Sequence, residues 1–149
     1  MILKVFIALL VLGFASNVQP QELKFEVLNT SSNPSLCKMK GIYTFNSRND
    51  LIDLWKEAFN TDIVPQIDFN TDMVIAIFRG SCPTLSYSVS VEKIEEKEDI
   101  ILVYVQYMNP GMNCRQSHAI SSPYVIIKTK KTDKQIEFIE YEKIKDCKL

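Results

Sequence analysis

The period of the apolar residues changes once along this chain, and that change decides the class of fold it can adopt. Leu51, Leu54, Trp55, Ala58 and Phe59 recur at the spacing of one face of an amphipathic helix. Ser47 followed by Asp50 resembles a capping box with Asp in place of the preferred Glu, so the helix has a start signal as well as a stripe. Trp55, on that stripe, reads as core packing. Beyond Pro65 the period is extended to the end of the chain. Met73 to Phe78 is continuously apolar, as suits a central strand covered by the helix on one face and shielded on the other. Tyr87, Val89 and Val91 alternate with Ser88, Ser90 and Glu92. Ile101, Val103, Val105 and Tyr107 alternate with Leu102, Tyr104 and Gln106, giving a second strand across a charged turn at Glu95 to Asp99. Tyr124 to Lys130 and Gln135 to Tyr141 read as a final hairpin. Upstream, Leu23 to Leu28 alternates as a half-buried strand, with Leu23, Phe25 and Val27 on one face, and Asn29 to Ser35 reads as a loop. No repeat or linker divides the chain. The expectation is one α+β domain: a single amphipathic helix packed on a predominantly antiparallel β-sheet and stapled by disulfides.

Composition narrows the function. The chain has 149 residues, 46% hydrophobic, which fits a domain with a packed core. A net charge of -1 and a pI near 5.9 argue against nucleic acid as a partner, because phosphate binding needs a marked basic excess. His118 is the one histidine, which removes most metal and triad chemistry, and no cofactor is expected. GxSxG, HExxH, P-loop and GxGxxG patterns are absent. A Cys114–His118 nucleophile would be lost on oxidation of the thiol. Asp68 with Asp72, and the acidic run from Glu92 to Asp99, read as solvated surface acids. An enzyme is not expected.

Residues 1–15 read as a signal peptide: Lys4, an apolar run from Val5 to Phe14, then Gly13 and Ala15 at a cleavage site. Residues 16–149 would be the mature domain, secreted to an extracellular or periplasmic space, with no membrane span after cleavage. Asn29-Thr30-Ser31 is a glycosylation sequon, relevant only in a eukaryotic source. Export places Cys37, Cys82, Cys114 and Cys147 in an oxidising compartment, where an even count suggests two bridges. If the strands near 73–79, 87–95 and 100–108 form a meander, Cys82 and Cys114 meet at one end, and Cys37 pairs with Cys147 by elimination. The same topology gathers the loops Gly80 to Ser86, Asn109 to His118 and Ala119 to Pro123. Two readings stay open: a fixed binding surface, or a staple that only compensates for long loops.

From Ile67 to Lys130 the sequence resembles the PrcB C-terminal domain family, named for a subunit of a spirochaete outer-surface protease complex. The resemblance runs through Ile67-Asp68-Phe69, the strand Met73 to Phe78, Gly80, Pro83-Thr84, Tyr87-Ser88-Val89, Ile101 to Tyr107, Asn109-Pro110-Gly111 and Ser122-Pro123-Tyr124. The family pattern has two glycines before the Tyr, and here Leu85 and Ser86 take those positions, which implies a differently shaped loop. The resemblance implies a non-catalytic accessory domain that associates with another secreted protein, in the founding case a protease. On that basis Thr84, Tyr87, Pro123 and Tyr124 are candidate binding residues, with Pro83, Asn109 and Pro110 from the same loops. Pro83-Thr84 to Tyr87 also resembles the Pro-Thr-Thr-Gly-Tyr loop of chagasin-type inhibitors, which gives the alternative of a small secreted protease inhibitor.

Overall fold

The apolar run at Met73 forms β4 (Asp72–Phe78), and its two faces enter two separate cores. Val74, Ala76 and Phe78 pack beneath the helix α1 (Arg48–Phe59). Met73, Ile75 and Ile77 pack against a second sheet. The computed structural model of the chain describes residues 19–33 and 39–147. Within them the remaining strands are β1 (Gln21–Leu23), β2 (Phe25–Ser31), β3 (Gly41–Phe45), β5 (Ser88–Glu96), β6 (Ile100–Pro110), β7 (Tyr124–Lys130) and β8 (Gln135–Lys145). The expected signal segment and Cys37 lie outside the described residues.

The strands form two four-stranded sheets, ordered β2-β7-β4-β3 and β1-β5-β6-β8. The first is the inner sheet, with α1 on one face and the other sheet on its opposite face. β7 splits as β4 does, Tyr124 and Ile126 facing the helix and Val125 and Ile127 facing the outer sheet. β5 and β6 each have one more polar face and lie in the outer layer, sending Val89, Val91, Ile94, Ile101, Val103 and Val105 inward. β1 and β2 are separated by Lys24 alone, so one run of chain starts in the outer sheet and continues in the inner one. A register shift between Val27 and Asn29 then rotates the strand. Leu28 joins the helix-side core and Val27 is exposed, which corrects the face expected for Val27.

The helix begins as its capping signal requires. Ser47 Oγ accepts from the Asp50 N–H at 3.3 Å and donates to the Asp50 carboxylate at 2.6 Å. It ends at Asn60, which adopts the left-handed conformation (φ 53°). Leu51, Leu54, Trp55 and Ala58 are buried as the periodicity predicts.

The strand order corrects the meander. β4 does not neighbour β5: it pairs with β3 and β7 in the inner sheet, while β5 lies in the other sheet, which covers one of the two apolar faces of β4. β3 lies in a segment that carried no strand expectation, and β2 extends to Ser31 through part of the expected loop. The final hairpin is also corrected. β7 runs back through the inner sheet and β8 returns in the outer one, so two reversals leave β8 parallel to β6.

That parallel pairing decides the disulfide. Pro110 lies opposite Lys145, and the Gly111 N–H donates to the Lys145 carbonyl at 2.9 Å. A Cβ on Gly111 would lie 2.7 Å from that carbonyl, so the glycine permits the close approach. Cys114 and Cys147 follow immediately and are bridged, with Cα atoms 5.0 Å apart. The expected Cys82–Cys114 pairing is therefore overturned, and with it the assignment of Cys147 to Cys37. Cys82 is buried and forms an isolated bridge with Ser121.

Non-reducing peptide mapping should recover a Cys114–Cys147 fragment and none linking Cys82 to Cys114. Replacing both bridged cysteines with Ser should cost at most about 4 kcal/mol, the chain-entropy value for a loop of this length, measured by chemical denaturation.

At the opposite end, the Lys93 ammonium and the Tyr104 hydroxyl hydrogen-bond Glu95, and Lys134 hydrogen-bonds Glu96. These bonds hold both carboxyls below the usual carboxylate value of 4.5. A depressed folded-state value contributes stability that is present above the unfolded value and lost as pH falls through the folded one. Acid titration of the denaturation midpoint should fall across that window below 4.5, and Glu95→Gln should flatten the slope.

Candidate functional site

Where β4 leaves the inner sheet, Arg79 turns across to the outer one and ties the two together. Its Nη1 donates to the Ser88 and Met108 carbonyls, both at 2.9 Å, and its Nη2 donates to Asn109 Oδ1. The guanidinium lies over the rings of Tyr87 and Tyr107, 4.9 and 5.3 Å from their centroids. Asn109 Nδ2 donates onward to Glu142 at 2.9 Å, and the Tyr107 hydroxyl donates to Glu140 at 2.7 Å. Burial, then the bond to Glu140, push the Tyr107 phenol well above its ordinary value. The network joins the ends of β4, β5, β6 and β8 in one polar clasp. Sequence reasoning passed over Arg79; its signal was a lone cation directly after an unbroken apolar strand.

The loops beyond this clasp are held to one another. The Cys82 N–H donates to the Ser121 carbonyl at 2.7 Å and the Ser121 N–H to the Cys82 carbonyl at 2.9 Å. Ser121 Oγ donates to the Thr84 carbonyl, and the Arg79 N–H to the Pro123 carbonyl. On the other side, the Cys114–Cys147 bridge fixes the loop after β6 to the end of β8, and Asn113 Nδ2 donates to Asp146.

The sequence-nominated residues divide into two groups. Thr84, Pro123 and Tyr124 are buried and build the loop frame. The Tyr124 ring packs between Phe59 and Phe78, at 5.5 and 5.7 Å, and its hydroxyl donates to Asn29 Oδ1 at 3.2 Å. Burial raises its phenol above the ordinary value. The sequon Asn29 is thus engaged by the core tyrosine. Pro83 is exposed, and Tyr87, Asn109 and Pro110 are half-buried around the Arg79 clasp.

Four apolar side chains that the sequence reading did not nominate as binding residues stand exposed at this end: Leu85, Met112, Ile120 and Ile144. For Leu85, Met112 and Ile120 the signal was an apolar residue set in a loop among small and turn-forming residues, and for Ile144 an apolar residue in a charged run. A cleft of about 460 Å³ opens beside Leu85, lined also by Tyr87, Met108, Cys114, Arg115 and Cys147. Among the described residues no group of His, Cys, Asp and Glu could hold a metal ion. His118 is exposed in the loop before β7.

Fold and site together define an α+β domain that carries stapled loops on a two-sheet frame. Residues 73–130, which span nearly all of β4 through β7 with their loops, match the family model described as PrcB C-terminal. No curated protein and no solved structure gives a significant match to the chain. No helix among the described residues is long and apolar enough to cross a membrane.

Arg79→Met would keep much of the stem and remove the charge-assisted bonds, leaving the Ser88 and Met108 carbonyls without that partner. It should lower stability by about 2–3 kcal/mol, read by chemical denaturation.

Proposed function

We propose that this chain is a secreted, non-catalytic accessory module that binds a protein partner through its stapled loop end. The observation that carries the reading is the placement of Leu85, Met112 and Ile120 on loops fixed by the Cys82–Ser121 bridge and the Cys114–Cys147 disulfide, with Ile144 exposed at the end of β8 next to that disulfide. Exposed apolar side chains cost little to present when the frame is already ordered, because binding then loses less conformational entropy. The PrcB C-terminal match over residues 73–130 supports an accessory role beside a secreted protease. The leader-like pattern of Lys4, the apolar run Val5 to Phe14 and Ala15 supports export. On this reading the partner contacts come from Pro83, Leu85 and Tyr87 on one loop and from Met112 and Ile120 on the other. Thr84, Pro123 and Tyr124 act by holding those loops in place. The inhibitor alternative rests on the likeness of Pro83-Thr84 to Tyr87 to an inhibitor loop, and within that stretch Thr84 is buried, 7% exposed.

Crosslinked affinity capture from the native culture medium, with partners quantified by mass spectrometry, tests the assignment. Leu85→Asp and Ile120→Asp should each reduce recovery of a stoichiometric partner by about tenfold or more, as charging an apolar interface anchor does. Glu98→Ala, in the turn at the far end of the sheets, should leave recovery unchanged. Equal recovery by all three variants would overturn the loop-end assignment.

A further inference from the structure

β8 is an edge strand of the outer sheet, and its open side pairs with no strand among the described residues. The Lys145 carbonyl accepts from Gly111 beside β6, so the odd-numbered residues of β8 direct their peptide groups inward to β6. The even-numbered residues, Ile136 to Ile144, consequently present N–H and C=O groups at the open edge. No proline interrupts Gln135–Lys145, and the strand is long enough to template a full ladder. Ile136 and Phe138 pack toward the inter-sheet core. Strand alternation then sets Gln135, Glu137, Ile139, Tyr141, Lys143 and Lys145 on the outer face.

We propose that β8 pairs antiparallel with β8 of a second copy of this chain, about a twofold axis at Glu140, joining two outer sheets into one. In this register Glu137 of each copy faces Lys143 of the other, and Gln135 faces Lys145. Ile139, 40% exposed in the single chain, faces Tyr141. The even-numbered pairs are the hydrogen-bonded ones, in keeping with the free peptide groups, and the outer-face pairs are the closer, non-hydrogen-bonded ones. Glu140 meets its own copy at the axis in a hydrogen-bonded pair, where side chains stand farther apart, and the Tyr107 hydroxyl already binds its carboxylate. Moving the axis to Tyr141 sets Glu140 against Glu142 twice. Moving it to Ile139 removes both Glu137–Lys143 pairs, and moving it to Glu142 sets Lys143 against Tyr141 and Ile139 against Lys145. Charges on an edge strand ordinarily keep it single. Here their order favours one self-register and penalises its neighbours.

Sedimentation velocity of the mature chain over a concentration series should show a reversible dimer. Lys143→Glu should weaken it about tenfold or more by placing like charges together at both ends of the ladder. The charge-exchanged double variant Glu137→Lys with Lys143→Glu should restore wild-type association. Both residues are exposed, and an unchanged Cys114–Cys147 bridge and thermal midpoint certify the fold. A chain that stays monomeric throughout, including one that pairs only with a foreign extended peptide, would overturn the proposal. So would a dimer indifferent to Lys143→Glu, or one that the double variant fails to restore. Leu85, Met112 and Ile120, the apolar side chains of the loops themselves, are untouched by these changes, so partner capture by the same variants separates this proposal from the accessory reading.

Discussion

Burial of the inner sheet on both faces is the constraint from which the rest of the molecule follows. Val74 and Ala76 look to the helix while Ile75 and Ile77 look to the outer sheet, and Ile126 and Ile127 divide in the same way on β7. A sheet of this kind cannot be an outside layer, because either face left to water would expose a continuous apolar surface. The helix stripe from Leu51 to Ala58 therefore has one destination and the alternating strands β5 and β6 have the other. Three layers result from a chain with one helix among its described residues. Truncating Ile75 or Ile127 would open a cavity between layers that are each held on the far side, so the site could not readily collapse, which puts such changes at the costly end of core substitutions.

Layering also explains why the sequence revealed the elements better than their partners. The helical stripe, its Ser47 cap, the continuous run of β4 and the alternation of β5 and β6 are local patterns, and each reports how many of its own faces are covered. None reports which strand lies alongside. The meander assumption placed β4 beside β5, yet two-sided and one-sided strands belong to different layers, and that difference was already written in Met73–Phe78 against Tyr87–Glu92. β3 escaped notice because Gly41–Phe45 is a short edge strand with only partial burial. The parallel alignment of β8 with β6 is set by two changes of layer, at residues 111–123 and 131–134, and no periodicity encodes it.

The same gap accounts for the cysteines. Once β6 and β8 run the same way, their ends coincide and Cys114 meets Cys147; while β8 was read as half of a hairpin, its tail had no assigned end. The candidate site was legible to a similar depth. Turn chemistry located the loops along the chain, since Pro83 lies in the connection between β4 and β5, Asn109 and Pro110 end β6, and Pro123 directly precedes β7. It could not tell a residue that faces water from one that fastens the loop. Thr84 and Tyr124 are fasteners, and Tyr124 has the aromatic surroundings of a core residue, with Phe59 and Phe78 against its ring.

Arg79 shows how the layers and the loops are mechanically one system. Its cation binds carbonyls at the start of β5 and the end of β6, while its own backbone N–H binds Pro123 at the entry to β7. The inner sheet therefore reaches the outer one through the same residue that fixes the loop carrying Ile120. An aliphatic side chain could fill that space but would leave the Ser88 and Met108 carbonyls without this partner. A lysine would supply the charge without the planar fork that meets two carbonyls and an amide together. Any ligand that moves the loops at this end must either carry Arg79 with them or break its bonds to the outer sheet. On the proposed reading, partner binding and the separation of the two sheets would be energetically linked through a side chain that need not touch the partner.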